Sequence, residues 1–314
     1  VEKEVLESTT AYQENSKMKK ILSALLLVLS LSACLKLDNN LFNNDNTITE
    51  YKLDNYDGET DFVLDSSYNI PSQKITFLTL ASKLDSESEP IKIKAIYIGD
   101  VSRIGTDTVI VYCHGNKWHM DFYWQRAKLL AHVNGKNKYG VLMMDYRGYG
   151  LSEGAVLEDG MYADVDACLA WLKEKGLSDA RLMIYGFSLG SAPATEMCAN
   201  HHAMHPSKLL LEAPFASSEV MVQDGSQLNM PASYFTNVKI DNADKMKRVS
   251  QPLFWLHGLN DLFLNYKTHG ELVYSKHAGA YKQKMLIAGT DHGEVPEKAE
   301  FRAYLDTLGK FIRR

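Results

Sequence analysis

Several things are scarce in this chain, and each absence narrows the reading. Cysteine occurs only four times, between Cys34 and Cys198, without paired or metal-ligand spacing. That argues against a disulfide framework and against a zinc site; Cys113 and Cys168 lie in apolar runs and are expected in the core. Excess positive charge is lacking too. A formal charge of −5 leaves no basic footprint, so nucleic acid is not an expected partner. No apolar run approaches the roughly 20 residues of a membrane-spanning helix. Internal repeats are missing, and no linker interrupts the chain after about residue 65, which predicts one domain over 65–314. With 314 residues, 45% of them hydrophobic, the chain can build a sizeable core.

The amino terminus reads as an address. Met18 begins MKKILSALLLVLSLSAC, where Lys19 and Lys20 precede the apolar segment Ile21–Leu31 and small residues lead into Cys34. This is the layout of a secretory signal. Leu31-Ser32-Ala33-Cys34 also resembles a bacterial lipobox, which implies lipidation at Cys34 and a cell-envelope lipoprotein anchored to a membrane. Residues 1–17 carry Glu2, Glu4, Glu7 and Glu14, the wrong charge for such a signal, and read as an upstream extension before it. Residues 18–34 are then the signal and 35–64 a polar tether. From Leu35 to Asp61 there are seven carboxylates against two lysines and little apolar periodicity. Such composition gives little surface to bury against its ordering entropy.

Beyond residue 65, strand-like and helix-like periods alternate. KITFLTLAS and IKIKAIYIGD alternate apolar with polar and predict a hairpin. TVIVYCHG, YGVLMMDYRG, RLMIYGFS, KLLLEAP, QPLFWLHG and YKQKMLIAG are short buried strands separated by helical stretches, the last helix being PEKAEFRAYLDTLGKFIRR. That order predicts an α/β fold with a mainly parallel sheet flanked by helices.

Within that frame G-x-S-x-G at Gly186–Gly190 gains weight. By itself the pattern arises by chance in roughly one chain in ten of this length. Here Ser188 falls where a buried strand hands over to a helix, the context of a nucleophile elbow. A serine hydroxyl needs an adjacent base oriented by an acid. Asp261 and His292 follow two later strands, in the order Ser, Asp, His expected of such a site. Asp291 adjoins His292, but neighbouring side chains in an extended loop diverge, so Asp261 is preferred. The backbone N–H of Leu189, at the helix start, and that of Asn116, after the third strand, are the expected oxyanion donors, with Lys117 second to Asn116. His119 and Trp118 are placed at the substrate entrance or in a packing lid. His257, in the strand-end LHG, is read as a hydrogen-bonded structural residue, and His201, His202 and His205 as helix-end groups.

The ordered motifs HGN, DYRGYGLSEG, YGFSLGSAPA, LHGLND and GTDHGE together resemble the α/β-hydrolase superfamily, most closely its small-capped, serine-aminopeptidase-like hydrolases. The resemblance implies an eight-stranded sheet and the α/β-hydrolase fold. It also implies Ser188 as nucleophile, Asp261 as acid, His292 as base and Asn116 with Leu189 as oxyanion donors. Asp145 and Arg147 are structural in this pattern. Phe187 departs from it, since many relatives carry Arg there. A cap insertion falls at about 216–250, short enough to leave the site fairly open.

These features predict a serine hydrolase that cleaves a carboxylic ester or thioester through an acyl-enzyme, without metal or organic cofactor. Its expected substrate is a small or lipid-like acyl compound. The competing readings are a surface-anchored binding protein that keeps the fold without turnover, and an acyltransferase or peptidase using the same triad.

Overall fold

A computed structural model describes residues 41–226, 231, 233 and 235–314. The expected signal, the extension before it and Cys34 lie outside the described residues. Ten strands are numbered in chain order. β1 (Asn43–Asn44) and β5 (Lys117–Trp118) form a small parallel pair. The other eight build one sheet: β2 (Ile75–Ser82), β3 (Ile91–Ile98), β4 (Val109–Cys113), β6 (Gly140–Asp145), β7 (Leu182–Phe187), β8 (Lys208–Glu212), β9 (Leu253–Gly258) and β10 (Lys282–Ile287). Their spatial order is β10-β9-β8-β7-β4-β6-β3-β2. β3 is antiparallel to both its neighbours, β2 and β6, and the remaining pairs are parallel. The expected hairpin and mainly parallel sheet are both present.

The helices are α1 (Met120–Ala131), α2 (Glu158–Glu174), α3 (Ser191–Ala199), α4 (Ser218–Ser226), α5 (Asn242–Lys245), α6 (Gly270–Lys276), α7 (Val295–Lys298) and α8 (Phe301–Arg313). Alternate residues of the central strands serve two cores. Val109, Val111 and Cys113 face the layer of α2 and α3, while Ile110 and Tyr112 face α1 and α8. Both faces are covered, so β4, β6 and β7 are buried along their whole length and almost wholly apolar, Asp145 at the end of β6 excepted. Cys113, Cys168 and Cys198 are free and buried. On α8, Tyr304, Leu305, Leu308, Phe311 and Ile312 repeat at helical spacing and pack under the sheet. Each such side chain contributes about 1.5–3 kcal/mol through burial.

Two expectations change. The closing helix is not continuous: Glu300 adopts φ 61° and separates α7 from α8. The break sets Phe301 against Phe62 and Tyr68, with ring centroids 5.2 and 6.1 Å apart. More consequential, the stretch expected as a tether over 35–64 is anchored to the domain at several points of its described part. Phe62 and Leu64 are buried. The Tyr51 hydroxyl donates to Asp145 at 2.7 Å, and Asp121 accepts from the Lys52 and Leu53 amides at 2.8 Å each. Asp54 pairs with the buried Lys128. The segment's few apolar residues are spent one at a time on separate sites, which is why they show no period. Its carboxylates meet cations of the domain rather than water alone.

Candidate active site

Ser188 stands at the end of β7, on a tight turn over Ser188–Gly190 that leads into α3. Its φ of 52° lies in the left-handed region, a strained conformation for a residue with a β-carbon. Two glycines make the turn possible. A Cβ on Gly186 would come within 2.5 Å of the Gly190 carbonyl oxygen, and one on Gly190 within 2.0 Å of the Cys113 carbonyl oxygen. No side chain fits at either place, so the serine is thrust up from the carboxyl edge of the sheet.

Asp261 follows β9 and His292 follows β10, and the structure brings both to the serine. The Ser188 hydroxyl and His292 Nε2 are 2.9 Å apart, and His292 Nδ1 lies 2.7 Å from Asp261 Oδ2. A carboxylate only accepts, so Nδ1 carries the imidazole proton and Nε2 is left to accept from the serine. Asp291 points elsewhere: its Oδ1 accepts from the Leu262 and His292 amides. Burial would raise the Asp261 carboxyl, but hydrogen bonds from His257 and His292 and from the Leu264 amide outweigh it and hold the group well below the ordinary carboxylate range. Asp261 is therefore ionised wherever the fold persists near neutral pH.

His257, expected as structural, is in direct contact with that acid. The Trp255 indole N–H donates to His257 Nδ1 at 3.1 Å. That leaves the proton on Nε2, which is 3.1 Å from Asp261 Oδ2 and 2.9 Å from the Leu264 carbonyl oxygen. Asp261 Oδ1 accepts from the Phe263 and Leu264 amides at 2.9 and 2.7 Å. The carboxylate is thus gripped from every side. The clue in the sequence was the spacing W-L-H, which puts Trp255 and His257 on one face of β9.

Around the expected oxyanion donors the picture is specific. The Lys117 amide donates to the Tyr123 hydroxyl at 2.9 Å and is engaged away from the serine. Asn116 and Leu189 both line the cleft with Ser188. His119 does not line the entrance. It is buried and caps α1, its Nδ1 accepting from the Asp121 amide at 3.3 Å. Trp118 packs beside Phe122. Asp145 and Arg147 serve structure: Asp145 pairs with the buried His114, and Arg147 with Asp164 and Glu87.

Phe187 lies between His292 and a cation from another element. Its ring centroid is 5.3 Å from the imidazole, and the Arg126 guanidinium of α1 sits 4.2 Å from the ring. Arg126 is buried, bonds both oxygens of Glu212 at 2.7 and 2.8 Å, and donates to Asp61 at 2.9 Å and to the Gly293 carbonyl at 3.0 Å. A positive charge therefore does stand behind residue 187, supplied by α1.

A cleft of about 570 Å³ opens beside Ser188, with an almost wholly apolar lining. The domain body supplies Leu189, Phe215 and Leu264, and the cap supplies Met221, Val238 and Ile240. Leu41 and Phe42 form a further wall. Ser188 itself is 5% exposed. Phe263, which also lines the cleft, is 59% exposed, and its chain neighbour Leu262 is 90% exposed. Among the described residues no cluster of His, Cys, Asp or Glu is arranged to hold a metal ion.

Comparison with known proteins agrees with this architecture. A family model described as serine aminopeptidase, S33, matches residues 105–251. An esterase from Pyrococcus furiosus superposes with a TM-score of 0.62 at 16% identity, over 87% of this chain and 97% of its own. The chain has the α/β-hydrolase fold. An esterase from Exiguobacterium antarcticum superposes on this chain with a TM-score of 0.54 at 17% identity, over 75% of this chain and 99% of its own. Among curated proteins, alpha/beta hydrolase domain-containing protein 17C of Mus musculus and of Homo sapiens are each 24% identical over 204 residues, or 65% of this chain. The match spans 59% of the mouse protein and 57% of the human one, under two thirds of either.

Proposed function

We propose that this α/β-hydrolase is a serine esterase acting on carboxylic esters or thioesters with an apolar acyl group. The observation that carries the reading is the hydrogen-bonded line from Ser188 through His292 to Asp261, opening onto an apolar cleft. In the mechanism, His292 Nε2 takes the Ser188 proton as the oxygen attacks the carbonyl. The tetrahedral oxyanion is received by the amides of Asn116 and Leu189. His292 then gives its proton to the leaving group, and water, activated by the same imidazole, releases the acyl group. Asp261 stays ionised throughout and holds the imidazole in its tautomer. Metal and organic cofactors have no part in these steps.

The exposed Phe263 and the apolar lining favour a lipid-like acyl chain over a polar one. A lipid anchor at Cys34 fits the same picture. From Cys34 to Leu41 the chain reaches at most about 25 Å when fully extended, so the anchor would hold the cleft near a membrane surface. No helix among the described residues is long and apolar enough to cross a membrane.

The test is labelling of the protein with a fluorophosphonate beside Ser188→Ala. Labelling that maps to Ser188, disappears in the variant and is accompanied by turnover of p-nitrophenyl esters is expected. A folded protein whose Ser188 resists the probe would overturn the reading and leave a binding protein in its place.

A further inference from the structure

The segment 41–64 carries no motif, yet it meets the site at both ends. At the first end, Leu41 and Phe42 line the cleft beside Ser188. The next two residues pair in parallel with Lys117 and Trp118, directly after Asn116. The Asn116 side chain clasps the segment in both directions: its Nδ2–H donates to the Leu41 carbonyl at 2.7 Å, and its Oδ1 accepts from the Asn43 amide at 3.1 Å. Oδ1 also accepts from the Tyr149 hydroxyl at 2.7 Å, and the Asp45 amide donates to the Trp118 carbonyl at 3.1 Å. The loop bearing the expected oxyanion amide is thus tied along its outer side to this segment. At the second end, Asp61 and the Gly293 carbonyl share one nitrogen of Arg126, next to His292.

We infer that residues 41–45 are a working part of the site. Phe42 sets the length of acyl chain that the cleft accepts, and the clasp through Asn116 holds the oxyanion loop in register. This deepens the esterase reading and rests on it for the identity of the ligand. The physical basis is simple. Phe42 is partly buried against the same core that floors the cleft, so its ring occupies space an acyl chain would otherwise fill. Each methylene that gains or loses burial changes affinity roughly fourfold. A wall residue therefore discriminates steeply between chains a few carbons apart.

The experiment uses the full chain, with Phe42→Ala, Phe42→Trp and Asn116→Ala. Asn116→Ala keeps the backbone N–H but removes both side-chain bonds to the segment. Hydrogen exchange comes first, since it needs no turnover. Protected Asn43 and Asp45 amides in the wild type, with protection at Asn43 falling at least tenfold in Asn116→Ala, are expected. Exchange at free-peptide rates in the wild type would overturn the clasp. Labelling rates with ethyl, octyl and dodecyl fluorophosphonates then read the wall. Phe42→Trp should slow octyl labelling tenfold or more while changing ethyl labelling less than threefold, and Phe42→Ala should move the optimum to the longer probe. Identical chain-length profiles in folded variants would overturn the wall and leave the hydrolase reading intact. A wild type that is labelled in this pattern but turns over no ester would refute the esterase reading while the wall stands.

Discussion

Two regions converge on Ser188, and they are held in different ways. Ser188, Asp261 and His292 sit a few residues beyond β7, β9 and β10, two interior strands and the edge strand paired to one of them, whose ladders fix where each loop begins. The segment 41–64 has only a two-residue strand, a handful of aromatic anchors and three carboxylates matched to the loop and to buried cations. One region is positioned cooperatively, the other contact by contact. The first region holds the hydrogen-bonded line from Ser188 through His292 to Asp261, whereas the second shapes the space beside it. Arg126 is the joint between them, since it touches Glu212 on β8, Asp61 in the segment and the carbonyl after His292.

Breaking the first region should have the largest effect. Asp261→Asn would present an amide where His292 Nδ1–H now donates and favour the wrong tautomer, so kcat is expected to fall by about 10⁴-fold, as such changes do in serine hydrolases. Steady-state kinetics with a p-nitrophenyl ester checks it, and a loss below about tenfold would mean that another group orients the base. Next in size is Arg126→Met. It strands the buried Glu212 carboxylate, and removing one partner of a buried pair costs about 3–5 kcal/mol. For a domain of this size that corresponds to a fall in Tm of roughly 10 °C, measured by calorimetry. An unchanged Tm would show that the two regions are not joined through this residue.

The same contrast explains what was legible beforehand. The sheet could be read because β4, β6 and β7 are covered on both faces and so appear as unbroken apolar runs. The line Ser188–His292–Asp261 could be anticipated because a serine at a strand-to-helix turn and an acid and a histidine after later strands are local patterns in fixed order, and the structure brings those three side chains together. The segment 41–64 could not be read: Phe42, Tyr51, Phe62 and Leu64 pack at unrelated places, and contacts so scattered leave no period in a sequence. Its carboxylates looked like solvated charge because their partners, Lys128 and Arg126, are brought near only by the fold. His119 was misplaced for a similar reason, since whether a histidine caps a helix or faces a cleft depends on where Asp121 and the chain before it lie. The break at Glu300 was hidden because no residue type there forbids a helix; the packing of Phe301 selects it.

His257 sharpens the comparison from inside the strand region. It supplies one of four hydrogen bonds to Asp261 and touches no reacting atom. His257→Ala should leave the carboxylate ionised through its remaining donors but less firmly aimed. A fall in kcat of about 10- to 100-fold with KM little changed is expected, by analogy with the loss of outer partners that orient functional ligands. Because Trp255 fixes the imidazole tautomer, Trp255→Phe should reproduce part of the loss without touching Asp261. If KM carries the whole effect in both variants, His257 acts on substrate binding and not on the acid.

The smallest expected effect tests the segment at its far end. Asp61→Asn keeps the shape of the side chain and an oxygen that accepts from Arg126, but removes one of the two carboxylates facing that cation. Glu212 remains bonded through both oxygens, so the buried charge is still paired. The expected cost is about 1 kcal/mol, a shift in Tm of roughly 2–4 °C, with kcat/KM down less than about tenfold. The direction follows from the geometry: a weaker hold on Asp61 frees part of the Arg126 fork, and the same nitrogen steadies the Gly293 carbonyl beside the base. Loss of activity without loss of stability would mean that Asp61 governs the His292 loop more than it governs the fold. Loss of stability alone would confine the segment's part in catalysis to Leu41–Asp45, where it meets the acyl cleft.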